Sequence, residues 1–184
     1  MPAFSPVTLT TERLTLRSIE KSDADAHFAI FSDPAVMRYW SSVAWTDMAQ
    51  AHAEVQRTLD AYADGSTLCL GVVLRTTGEM VGVVTLYSIH HESRRCGLGY
   101  ALAQAHWGKG YLGEAVATML AHGFGELNLN RVEADVDPRN SASEKLLQRM
   151  GFQKEGYMPQ RWIVNGEVGD TVFYGLLRSG WENR

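Results

Sequence analysis

One segment, Trp107-Gly108-Lys109-Gly110-Tyr111-Leu112-Gly113-Glu114, constrains the fold of this chain more than any other. It follows an apolar run, Cys96 to Ala103, that reads as a strand. It also opens a stretch whose apolar stripe, Leu112, Ala115, Val116, Met119, Leu120, Phe124 and Leu127, has helical spacing. A strand must therefore end, turn on glycine and hand over to a helix. Glycines let the backbone adopt dihedrals and close approaches that a Cβ forbids. The first turn of such a helix carries unpaired N–H groups and the positive end of the macrodipole, so it can hold a pyrophosphate, and Lys109 adds a point charge. The same letters also suit a turn that merely links strand to helix. They match Gly-x-Gly-x-x-Gly as well, with Glu133 about 20 residues further on, the pattern of dinucleotide-binding proteins. Three features weigh against that last reading: the preceding strands look antiparallel, the turn lies past the midpoint, and Glu133 opens its strand.

Around this segment the chain alternates between β and helical periodicities. Arg13 to Ile19 alternates as a half-buried strand, with Leu14 and Leu16 on one face. Ser22 offers an N-cap for a helix carrying Phe28 and Phe31, which Asp33-Pro34 interrupts. From near Thr46, Met48, His52, Val55, Leu59 and Tyr62 form one helical stripe that ends at Asp64-Gly65. Thr67 to Arg75 and Met80 to Ile89 predict a hairpin turning at Thr77-Gly78-Glu79. Arg131 to Val136 predicts a strand and Ser141 to Met150 a helix. Phe152 to Ile163 and Val168 to Leu177 predict a strand pair turning at Asn165-Gly166. This order predicts an α/β (α+β) domain spanning residues 1–184: a mixed, mostly antiparallel twisted sheet of about seven strands flanked by about four helices.

With 184 residues, 45% hydrophobic and 21% charged, the chain has ample material for one buried core. A net charge of −4 supplies no broad positive field for a nucleic acid, so any phosphate must be bound locally. The two cysteines, Cys69 and Cys96, lack metal or disulfide spacing, and the six histidines lack a motif such as His-Glu-x-x-His, so no metal is expected. No export signal and no apolar run of about 18 residues occurs, which predicts a cytoplasmic protein without a membrane partner.

The chain resembles the GNAT superfamily of N-acetyltransferases, and within it the RimJ/RimL type that acetylates ribosomal-protein N-termini. The resemblance runs from Thr11-Glu12-Arg13-Leu14-Thr15-Leu16-Arg17 through Gly99-Tyr100 and the Trp107 to Ala115 turn to Asn140-x-x-Ser143 and Gly151-Phe152. It departs at Leu112, where the family has a small residue. The resemblance implies acetyl-CoA as cosubstrate, seated between two splayed central strands. Trp107, Gly108, Lys109, Gly110, Tyr111, Leu112 and Gly113 would cradle its pyrophosphate. The backbone of Leu102 and Ala103 would pair with the pantetheine amides, Asn140 would bond the same arm, and Lys145 would lie near a phosphate or serve as a plain surface lysine. The acceptor would be a small-molecule amine or a protein N-terminus, and the protein a monomer or homodimer.

Acetyl transfer needs a neutral nitrogen, a stabilised oxyanion and a proton for the departing thiolate. A backbone N–H on the strand ending near Leu102 is the oxyanion donor that the resemblance implies. Many relatives supply the proton from a tyrosine where this chain has Leu147; RimL-type enzymes use the position of Ser143. Ser143 also suits a plain first-turn residue, since Ser141-x-x-Glu144 reads as a capping box. A glutamate common in relatives is Gly97 here, so His90, with His91 and Glu92 beside it, is the candidate base; all three also suit an ordinary loop. At pH 7 an α-amine costs roughly 1 kcal/mol to neutralise and a lysine roughly 4.6 kcal/mol, so an α-amine could reach its neutral form with water alone. Tyr39-Trp40 with Trp45, and Tyr157 to Trp162, can line an acceptor pocket or serve as core and lid. A CoA-binding sensor without catalysis is the alternative to an enzyme, because Gly97 and Leu147 stand where relatives carry reactive groups.

Overall fold

The computed structural model describes residues 3–183. Its sheet has eight strands in the order β1-β2-β3-β4-β5-β6-β8-β7. These are β1 (Thr8–Thr10), β2 (Leu14–Ser18), β3 (Leu68–Leu74), β4 (Met80–His90), β5 (Arg95–Leu102), β6 (Arg131–Val136), β7 (Gln153–Val164) and β8 (Glu167–Leu177). The helices are α1 (Ala24–Phe31), α2 (Pro34–Met37), α3 (Met48–Asp64), α4 (Tyr111–Phe124), α5 (Ser141–Arg149) and α6 (Arg178–Glu182). β1, α2 and α6 go beyond the sequence expectation. All three are short, and β1 pairs with the adjacent β2 in a local hairpin, Thr10 standing opposite Thr15.

Local chemistry accounts for most boundaries. Asp47 caps α3: its carboxylate accepts from Ala49 N at 2.8 Å, and Gln50 completes the capping box. Gly65, at φ 71°, ends that helix in the left-handed conformation. The buried stripe of α3 is Ala51, Val55 and Thr58, with Leu59 and Tyr62 at its margin, so His52 faces solvent, against expectation. Small Ala51 lets α3 lie close to the sheet, and the spacing alone did not separate that register from the neighbouring one. Asn165 (φ 47°) and Gly166 (φ 80°) both take positive φ between the paired residues Val164 and Glu167, as a two-residue hairpin turn requires.

The sheet is packed on both faces. Against one lie α4 and α5, burying Leu98, Leu102, Met119, Leu120, Phe124, Ala134 and Leu147. Against the other lie α1, α2 and α3, burying Ile30, Phe31, Val55, Val83 and Ala101. Successive residues of a strand thus face opposite layers. Leu147 is fully buried, a contribution of about 1.5–3 kcal/mol for a leucine side chain, and so takes no part in chemistry.

All neighbouring strands are antiparallel except β5 and β6. That parallel pair is short. It comprises Arg95–Arg131, Cys96–Val132 and Gly97–Glu133, after which β5 keeps to β4 and β6 keeps to β8. The sheet splits from Leu98 onward, which positions everything described next.

Candidate active site

The glycine turn lies beyond the end of β5. A 3-10 turn, Gln104–His106, leads into it, and Gly108 (φ 74°) and Gly110 (φ 81°) take left-handed dihedrals before α4 begins at Tyr111. A Cβ on Gly108 would meet nothing within 4 Å, so its surface side is open, and the nearest atom to one on Gly110 would be Arg13 Nη2 at 3.4 Å. Among the described residues, no carbonyl or side chain accepts from the N–H groups of residues 108–113. Those amides are the unpaired donors a helix start leaves behind.

The turn is clamped from the far end of the chain. Arg13 donates from Nη1 to the Lys109 carbonyl at 2.9 Å and from Nε to Glu114 Oε2 at 2.7 Å, and its guanidinium lies 4.8 Å from the centre of the Tyr111 ring. Thr11 Oγ1 and Arg13 N donate to the other Glu114 oxygen. Partial burial pushes the Glu114 carboxyl up, but the Thr11 hydrogen bond and the Arg13 contacts outweigh it and hold the group below its ordinary value. The Thr11-to-Arg17 opening thus serves the turn as much as the sheet.

The edge of β5 facing the split is sharply defined. Ala103 N–H donates to Val81 O at 2.8 Å and its carbonyl accepts from His106 N at 2.9 Å, so both backbone groups are engaged within the protein. Leu102 points its carbonyl the other way, where Trp107 Nε1 donates to it at 2.7 Å. Alternation carries that direction back along the strand, so Leu98, Tyr100 and Leu102 present the open edge. The expectation that Ala103 shares in it is corrected: the ladder with β4 consumes its amide.

Across the split, Asn140 is the N-cap of α5; its Oδ1 accepts from Ser143 N at 3.1 Å. This replaces the capping box read from Ser141 and Glu144: Glu144 instead accepts from Tyr174 OH at 2.9 Å. Ser143 Oγ lies 2.7 Å from Tyr100 OH. Burial pushes the Tyr100 phenol up to about 12, with the bond to Ser143 working in the opposite direction. Sequence reasoning placed Tyr100 only in a motif; its alternation with buried Leu98 and Leu102 was the signal that it faces α5. Lys145 is exposed on α5.

Part of this arrangement borders a cavity of about 570 Å³ at the split, whose lining does not include the glycine turn or Lys145. Tyr100, Asn140 and Ser143 line it on the α4–α5 side. On the other side stand Tyr39, Trp40, Tyr87, Asp135, Arg161 and Trp162. Tyr87 OH donates to Asp135 Oδ1 at 3.0 Å, and Arg161 Nη1 donates to Asp135 Oδ2 at 2.9 Å. Trp45 is elsewhere, with its ring 4.8 Å from that of Phe31, and Tyr157 bonds Asp170. Tyr87 and Asp135 were missed, and Arg161 was covered only as part of the Tyr157 to Trp162 stretch, because nothing local links positions 87, 135 and 161.

His90 does not join them. It pairs with Arg95 at the closed end of the β4–β5 hairpin, five residues or about 16 Å along the strand from Tyr100, and its Nδ1 accepts from Ser93 N at 3.1 Å. His91 Nε2 lies 2.9 Å from Gly65 O. The bulge between Tyr87 and His90 and the hairpin that follows carry both histidines away from the split. Among the described residues, no cluster of three or more His, Cys, Asp or Glu side chains is placed to hold a metal ion, and no helix is long and apolar enough to cross a membrane.

Known proteins share this fold. The model of the acetyltransferase (GNAT) domain matches residues 13–153. The uncharacterized N-acetyltransferase p20 of Bacillus licheniformis is 39% identical over 93% of this chain and 96% of its own length. The [ribosomal protein uS5]-alanine N-acetyltransferase of Escherichia coli is 27% identical over 95% and 93%. A crystal structure of a GNAT-family acetyltransferase from Bacillus anthracis superposes with a TM-score of 0.84 at 25% identity, over 94% of this chain and 99% of that one. The chain belongs to the GNAT acetyltransferase family. It is an acyltransferase of the acetyl-CoA-dependent N-acetyltransferase class, transferring acetyl to an amine.

Proposed function

We propose that this enzyme is of the RimJ/RimL type and acetylates the α-amine of a protein N-terminus in preference to a small-molecule amine, as a cytoplasmic monomer or homodimer. One observation carries the reading: a run of unaccepted N–H groups, residues 108–113, stands beside a strand edge that its neighbour has abandoned. Together these suit a pyrophosphate continued by an amide-bearing arm. Gly108 to Gly113, with Lys109, would hold the pyrophosphate; Leu98, Tyr100 and Leu102 would pair with the arm; Asn140 would bond it through the amide nitrogen its cap leaves over; and Lys145 would stand near a phosphate. Acetyl-CoA supplies an activated acyl group.

Ser143, hydrogen-bonded to Tyr100 on the first turn of α5, would give the proton that the departing sulfur needs. The helix N-terminus favours negative charge there. The α-amine is preferred because it costs roughly 1 kcal/mol to neutralise at pH 7, against roughly 4.6 kcal/mol for a lysine. The Escherichia coli relative, whose name records an alanine of a ribosomal protein as acceptor, points the same way. Cys69 and Cys96 are free and buried, which suits a reducing compartment.

Thiol release from acetyl-CoA, measured with peptides bearing N-terminal alanine or serine and with spermidine and a lysine amide, tests this directly. The peptides are expected to turn over fastest. Turnover confined to spermidine overturns the N-terminal preference, and CoA binding without turnover of any amine replaces the enzyme with a sensor.

A further inference from the structure

We infer that the Tyr87 phenol and the Asp135 carboxylate form a two-step proton outlet for the acceptor nitrogen, Tyr87 touching the amine and Asp135 receiving the proton behind it. The inference rests on the N-acetyltransferase reading above and supplies the base that His90 does not. Tyr87 stands opposite Gly97 in the β4–β5 register, and its ring lies flat over that glycine, so a Cβ there would run into the ring. From this position the phenol reaches across the split to Asp135 on β6. Val132, Ala134 and Val136 face the α4–α5 core, so Asp135 points to the opposite side, as Tyr87 does. The cavity therefore carries one hydroxyl system on each face of the sheet, Tyr100–Ser143 on one and Tyr87–Asp135 on the other.

The direction of the hydrogen bond follows from the surroundings. Burial, and then the charge of Asp135, push the Tyr87 phenol above its ordinary value, so it stays protonated and donates to the carboxylate. Its lone pairs remain to accept an N–H from the cavity. Arg161 fixes the second Asp135 oxygen, and the Asp135 side chain is 29% exposed, which gives the proton an exit to water.

The step balances as follows. The amine nitrogen forms a bond to the thioester carbonyl carbon as the carbonyl π pair moves onto oxygen; the nitrogen becomes cationic and only then carries an acidic proton. That N–H bond breaks as a bond forms to the Tyr87 oxygen, while the phenolic proton passes to Asp135 Oδ1. The oxyanion then re-forms the C=O bond as the C–S bond breaks with its electron pair on sulfur; sulfur takes the Ser143 hydroxyl proton, and Ser143 regains one from solvent. Asp135 releases its proton to solvent, and no oxidant or further reactant is needed.

Tyr87→Phe keeps the ring over Gly97 and removes only the hydroxyl; Asp135→Asn keeps the shape and removes the acceptor charge. With saturating acetyl-CoA and an N-terminal-alanine peptide, each is expected to lower kcat by about 100-fold. Acetyl-CoA affinity should be unchanged, and the double variant should be no slower than either single one, because the two act as a unit. A Tyr87→Phe protein with wild-type kcat overturns the outlet, as does one whose loss of kcat is matched by loss of acetyl-CoA affinity. Additive losses in the double variant overturn the pairing. Wild-type protein that binds acetyl-CoA yet acetylates neither the peptide nor spermidine fails the transferase reading itself, and the outlet with it.

Discussion

The two sides of the split are built from different materials. Toward α4 and α5 most features are backbone: amides 108–113, the open edge of Leu98, Tyr100 and Leu102, and the capped start of α5, joined by the Tyr100–Ser143 hydroxyl pair. Toward α2 and the β7–β8 hairpin they are side chains held by one another. Arg139 bridges Asp137 and Glu167, Arg38 also reaches Glu167 at 3.2 Å, and Arg161 holds Asp135. A backbone site is fixed by turn chemistry and tolerates few substitutions. A side-chain site can be rewritten while the sheet beneath it stays the same, and that division lets one fold serve many acceptors.

Four substitutions or conditions would break or sharpen this contrast. Ser143→Ala should have the largest effect, a fall in kcat of about 100-fold with CoA affinity unchanged, read by thiol-release kinetics beside calorimetric binding. Unchanged kcat would remove Ser143 from the chemistry. Gly110→Val comes next, because a β-branched residue in the left-handed region costs about 1–2 kcal/mol or more. CoA affinity should fall by about tenfold, and equal affinity would place the cradle elsewhere.

Acid should weaken the clamp on the turn. The Glu114 carboxyl is depressed in the folded protein, so its contribution is present above the unfolded value of about 4.3 and is lost as pH falls through the folded value below it. In Glu114→Gln the melting temperature below pH of about 4.3 should fall less steeply than in the wild type, a difference that differential scanning calorimetry reads. Smallest of all, Ile163→Ser on the exposed β7 should change stability by no more than about 0.5 kcal/mol in denaturant titration, since the side chain is 73% exposed.

The same contrast decides what could be read in the sequence. Glycine spacing, the Asn165-Gly166 turn and the 3.6-residue stripe of α4 are local signals, and each marks the element found there. Misreadings fall where a long-range partner decides. Ser141 and Glu144 have the letters of a capping box, but Asn140 takes the cap and Tyr174 takes Glu144. Ala103 lies beside the split yet turns its amide to β4. His90 is close in sequence to the cavity-lining Tyr87, and a bulge removes it from the cavity. Tyr87, Asp135 and Arg161 meet only after three separate strands have assembled, and no spacing rule joins them.

The three-residue seam between β5 and β6 has a further consequence, for the life of the protein rather than its reaction. Bare strand edges recruit strangers, and a sheet parted in its middle offers two of them. A guest lying in the gap would act as a temporary ninth strand, shielding both edges for as long as it stays. At a concentration a hundred times its Kd it would add about 2.7 kcal/mol to folding. Starving cells of acyl donor would then shorten the enzyme's survival as well as idle it.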